Sequence, residues 1–145
     1  TFMFANITIF FSHLFFPNKE TLIRLSEEIK SRSQNILNQG YINSITQNRA
    51  VFTLLKKEFI DAHEILLSES DQLSAPVGIV NYQISESQSY AREWVSANSD
   101  SIQCVVTTLD GYNSSVKPGQ SQFPELWDYA DNIDTINFLI NLSRP

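Results

Sequence analysis

The sequence predicts an α/β fold with helices packed on a mixed, partly parallel sheet, and three observations carry that expectation. Residues 102–109 (Ile-Gln-Cys-Val-Val-Thr-Thr-Leu) are almost continuously apolar or β-branched, the pattern of an interior strand covered on both faces. Leu22, Leu25, Ile29, Ile36 and Leu37 recur at near-helical spacing, with Glu27, Glu28, Lys30 and Arg32 largely off that stripe. Residues 77–109 read strand, helix, strand at the length of a βαβ crossover, which would set the two strands parallel.

The first element is an apolar stretch, Phe2 through Phe11, interrupted by Ser12 and His13 and closed by Pro17. It is too short to span a bilayer and lacks the basic start of a signal peptide, so a buried strand or strand pair is expected. Pro17-Asn18 then opens a helix over residues 19–39, with Asn18 as cap, Glu20 at the positive end of the dipole and Gly40 as the stop. A second helix is expected over residues 44–62, with Ile45, Phe52, Leu55 and Phe59 on one face. Residues 64–68 form a short strand and 69–74 a loop. Residues 76–84, rich in β-branched and aromatic types, form another strand. Ser85 or Ser87 caps a helix carrying Tyr90, Ala91, Trp94 and Val95 on one side, and residues 98–100 break it before the strand at 102–109. Residues 110–115 are a loop. No repeat or composition shift marks a boundary, so residues 1–145 are one α/β domain.

Charge and cysteine content narrow the function classes. A net charge of −6 with no basic cluster argues against a nucleic-acid partner, because affinity for a phosphate backbone is supplied mainly by Lys and Arg. The single cysteine cannot form an internal disulfide, and a reducing, cytoplasmic location is the expectation. No stretch is long enough for a membrane span.

Candidate chemistry is sparse. Cys104 lies mid-strand among Ile102, Val105 and Val106, where a small buried hydrophobe is expected; a nucleophile would need a base, a cation or a helix N-terminus beside it. His63 with Asp61 or Glu64 has the composition of a base and its orienting acid, but nothing in the spacing aims either at Cys104. Asp128, Asp131 and Asp134 fall three apart and could share one side of a helix. Capping and solvation, with Asp134 as an N-cap, outweigh hard-cation binding there. Gly119-Gln120-Ser121-Gln122-Phe123 begins like a nucleophile elbow but lacks its second glycine. Trp94, Trp127, Tyr82 and Tyr129 read as core and rim residues rather than a ligand cage. No catalytic or metal-ligating residue is assigned, and composition and pattern by themselves point to an acidic α/β unit.

The last third is more specific. Ser101-Ile102-Gln103-Cys104-Val105-Val106, Gly119-Gln120-Ser121-Gln122, Pro124-Glu125-Leu126-Trp127-Asp128-Tyr129-Ala130-Asp131, Asp134-Thr135 and Phe138-Leu139 resemble the C-terminal part of bacterial acyl-CoA reductases, the fatty acyl reductase family of bioluminescence systems and its relatives. The family pattern there is approximately Gly-Gln-Ala-Gln, Pro, Leu, Asp-Tyr-Ala-Asp-Gly-Val-Asp-Thr, Phe-Leu. This chain departs from it at Ser121, Asn132 and Ile133, and carries Pro118 where an aromatic is expected. Residues 74–82 and the helix with Tyr41 and Asn43 match more loosely.

The resemblance implies an aldehyde-dehydrogenase-like fold. It also implies a complete protein that takes a fatty acyl group onto a cysteine as a thioester and reduces it to an aldehyde with NADPH. The nucleophile and the nucleotide segment of that family lie upstream of everything matched here, and Cys104 aligns with a strand cysteine. No position of this chain inherits the catalytic role, and no cofactor-binding position is assigned. The expectation is a C-terminal reductase portion, inactive alone, whose partner is its missing half or another copy. The alternative is a free-standing, non-catalytic α/β interaction or dimerisation module.

Overall fold

A computed structural model describes residues 3–7, 11–32, 38–102, 104–112, 115–121, 123 and 134–142. Its framework is α/β, a mixed, partly parallel sheet of seven strands with helices on both faces. The strands are β1 (Met3–Ile7), β2 (Phe11–Phe16), β3 (Ile60–Asp61), β4 (Leu66–Glu69), β5 (Ile79–Ile84), β6 (Val105–Val106) and β7 (Ser115–Val116). Their spatial order is β3-β4-β5-β2-β1-β6-β7. The helices are α1 (Lys19–Arg32), α2 (Gln39–Leu54), α3 (Gln88–Ala97) and α4 (Thr135–Leu142).

The apolar opening folds as expected into a strand pair, β1 against β2. That hairpin occupies the middle of the sheet. β2 pairs parallel with β5, and β1 pairs antiparallel with β6. β5 and β6 therefore run parallel, as the strand–helix–strand pattern requires, but they are not neighbours, because β2 and β1 stand between them. The crossover through α3 thus spans a split βαβ unit. β4 and β5 are also parallel neighbours, joined by residues 70–78 without a helix.

Alternation along the strands separates two cores. Leu14, Phe16, Leu67, Val80 and Tyr82 share one face with Leu22 and Leu25 of α1. The other face is divided. α2 covers its β4–β5 side through Ile45, Tyr41 and Phe52 against Leu66 and Ile79. α3 covers the far side through Trp94 and Val95 against Ile102 and Val105.

Local chemistry sets the helix ends. Asn18 caps α1 by accepting from the Thr21 N–H at 2.9 Å, as expected, and Glu20 lies in the first turn. The described part of α1 ends at Arg32. The expected helix does not run through to Gln39, because Asn38 begins a new one by accepting from the Tyr41 N–H at 3.0 Å. Gly40 consequently sits inside the first turn of α2 rather than stopping α1.

α2 ends eight residues before the expected position, at Leu54. The Lys57 N–H donates to the Phe52 carbonyl and the Lys56 N–H to Thr53, with Lys56 at φ 53°. This is a Schellman closure with lysine in the left-handed position usually given to glycine. Leu55, expected on the buried face, is left exposed, while Phe59 still reaches the α2 cluster.

The expected strand at residues 102–109 is shorter than its sequence pattern suggests. Among the described residues of that stretch, Val105 and Val106 are in strand conformation, extended by the Thr107 N–H donating to Val116, and residues 108–111 bend away. Val105 and Val106 are both buried between β1 and β7, so the interior position holds.

Candidate functional site

A row of polar residues crosses the middle of the sheet on the face shared by α2 and α3. Ser68 of β4 is in register with Asn81 of β5, and Asn81 with His13 of β2. All three are buried, Ser68 and His13 completely. Polar residues there have a structural cause. The 70–78 connection crosses this face as irregular backbone, and its carbonyls need donors. The Asn81 Nδ2 amide donates to the Gln72 carbonyl at 2.8 Å and to Ser74 at 3.1 Å, and His13 Nδ1 lies 3.3 Å from the same Gln72 oxygen.

The His13 ring is enclosed by aromatic faces. Trp94 stacks on it at 4.5 Å between centroids and 30° between planes, and Phe15 lies at 5.0 Å. His13 Nε2, Ser68 Oγ and Gln83 Oε1 are buried without hydrogen-bond partners among the described residues. Burial pushes the His13 imidazole below its ordinary value. The Gln72 carbonyl, the neighbouring Gln83 side chain and the Asp71 charge act in the opposite direction without reversing it. In the sequence His13 reads only as an interruption of an apolar strand; its role depends on a loop about sixty residues away.

The residues singled out in the sequence do not converge. Cys104 is half-buried immediately before β6, more accessible than the buried hydrophobe expected. Asp61 belongs to β3, at the opposite end of the sheet from β6. Five strand spacings separate those positions, on the order of 24 Å, so no triad joins Cys104 to the Asp61–His63–Glu64 group. Asp61 instead holds a turn. It accepts from Arg49 Nε at 2.6 Å and Nη2 at 3.1 Å, and from the His63 N–H at 2.9 Å, with His63 at φ 72°. Burial pushes the Asp61 carboxyl up, but bonds from Arg49 and the His63 N–H, with the Arg49 and Lys30 charges, hold it below the usual carboxylate range.

Gly119 is not part of a nucleophile elbow. Gln120 N–H donates to the Lys117 carbonyl at 3.0 Å across Pro118 and Gly119, whose φ is 85°. That is a type II turn, and it suits both residues. Pro118, a departure from the family pattern, therefore sits where its fixed φ fits. Asp134 is an N-cap: Oδ1 accepts from the Asn137 N–H at 2.9 Å, and Oδ2 from the Asn137 amide at 3.0 Å. Asp128, Asp131, Trp127, Tyr129 and Asn132 lie outside the described residues. Among the described residues no group of three or more His, Cys, Asp and Glu side chains could hold a metal, and no helix is long and apolar enough to cross a membrane.

The described surface has one markedly apolar element, α4. Ile136, Phe138, Leu139, Ile140 and Leu142 are all exposed, from 45% to 67%, and none of the helix is buried. At 100° per residue these five occupy an arc of about 200°, roughly twice the stripe that one core requires. Asn137 and Asn141 form the narrow polar stripe opposite. No charged residue occurs between Thr135 and Leu142.

No family model matches the chain, and no curated protein or solved structure matches it either.

Proposed function

We propose that this chain is a non-catalytic α/β portion of an acyl-CoA reductase-like protein, and that it acts by assembling with a second copy through α4. The apolar, uncharged arc of α4 carries the assembly reading. A helix with such a surface gains by removing it from water, at roughly 25 cal/mol per Å². Its lack of charge suits an isologous contact, in which like meets like and no charge pairing is needed across the two-fold.

The resemblance in the last third supports the chemical class: a fatty acyl thioester reduced with NADPH in the complete protein. Within that stretch, Gly119 lies in a turn and Asp134 caps a helix. The spread of Cys104, Asp61 and His63 across the sheet argues against a triad built on Cys104. A cytoplasmic location is part of the same proposal, supported by the lone cysteine.

Incubating the purified chain with a fatty acyl-CoA and NADPH tests the chemical half. Neither NADPH oxidation nor aldehyde is expected. Turnover that disappears in Cys104→Ala would make Cys104 the nucleophile and overturn the proposal. Turnover that persists in that variant would place catalysis elsewhere on the chain, with the same consequence. The mass of the chain in solution tests the assembly half.

A further inference from the structure

We propose that His13 is a proton-operated latch, holding α3 and the 70–78 crossover against the sheet while neutral and releasing them when it takes up a proton. Three separate pieces of the chain meet on this ring. Trp94 brings α3, Gln72 brings the crossover, and β2 supplies the histidine from the middle of the sheet. The neutral tautomer with hydrogen on Nδ1 satisfies the Gln72 carbonyl, and its bare Nε2 then needs no acceptor.

Adding a proton at Nε2 changes the balance. The charge would lie in a fully buried site, and among the described residues Nε2 has no hydrogen-bond partner in place, only the Gln83 side chain beside the ring. The nearest remedy within the protein is Gln83, whose Oε1 is unpaired. Its amide nitrogen, however, is already 3.3 Å from the Tyr90 hydroxyl of α3. Turning Gln83 toward the ring thus also disturbs α3.

Water is the other remedy, and the indole of Trp94 stands over the ring. Either way the response falls on α3 and the crossover, while β2 is held by strands on both sides.

The groups facing the ring offer little compensation. β4 brings Ser68, β5 brings Asn81 and Gln83, and β1 places Ala5 in register. α3 brings Trp94 and the Tyr90 phenol, with Arg92 and Glu93 exposed and Arg92 bonded to the Asp110 carbonyl. Asp71, exposed on the crossover, is the charge acting on the ring among the described residues.

The full chain carrying His63→Asn and Trp127→Phe isolates the signals, since it keeps His13 as sole imidazole and Trp94 as sole indole. Asn tolerates the left-handed backbone at position 63. NMR titration of the imidazole, Trp94 fluorescence and amide hydrogen exchange are followed together from neutral to acid pH.

The His13 titration is expected below 6.5, its ordinary value, with loss of Trp94 emission at the same midpoint. Amides of α3 and the crossover lose protection there, and those of β2 and β5 keep theirs. An imidazole titrating at or above that value would overturn the latch. So would Trp94 emission that ignores the titration, or protection lost from all the strands at once.

Discussion

Gly78 sits where the crossover turns into β5, at φ 82°, and a Cβ there would collide with Ile45 Cγ1 of α2. Two costs coincide, a backbone region closed to most side chains and a collision in a core cluster. Gly78→Ala is expected to lose about 3 kcal/mol in urea unfolding. Lys56 presents the opposite case. It occupies the left-handed position of a Schellman closure without glycine's freedom, so Lys56→Gly is expected to gain about 1 kcal/mol in the same measurement. Leu22, fully buried between α1 and the sheet, should lose about 3 kcal/mol as Leu22→Ala. At this scale the sequence was informative where a side chain acts on its own neighbours. Asn18 and Asp134 read as caps because capping needs only the next three residues. His13 and Gly78 were opaque, since the partner that gives each its role is distant in the chain.

At the scale of elements, periodicity located helices and strands well and their ends poorly. α2 shows why. Phe59 continues the spacing of Ile45 and Phe52, so the apolar pattern runs past a helix end made by backbone bonding at Lys56 and Lys57, with neither glycine nor proline to mark it. Between residues 33 and 39 no breaker precedes Gly40, and Asn38 ends one helix pattern only by starting another. α4 is an apolar helix whose large side chains are exposed. Replacing Ile136 and Leu139 by Ser, on the exposed arc, should leave the circular dichroism unchanged and weaken self-association at least about tenfold, or roughly 1.4 kcal/mol.

At the scale of the whole molecule, the α/β class and the parallel sense of β5 and β6 followed from element order. The insertion of the β1–β2 hairpin between them did not, because pairing partners are not encoded in local pattern. That insertion is what buries His13, and it gives stability a definite pH dependence. The folded His13 is harder to protonate than the unfolded one, so acid favours the unfolded chain. Stability should be full above 6.5, fall as pH drops through it, and level off only below the folded value. Asp61 adds a second loss at lower pH, as its carboxylate, held below the usual range, takes up a proton. Thermal melts across this range would register both steps, and His13→Gln should remove the first.

Light scattering coupled to size-exclusion chromatography, on the chain and on its Ile136→Ser/Leu139→Ser variant, addresses the assembly through α4 most directly. The wild-type chain should have twice the single-chain mass, and the variant should return to one chain with its circular dichroism unchanged. A wild-type chain that stays single at every concentration, or a variant that remains paired, would contradict α4 as the contact between copies.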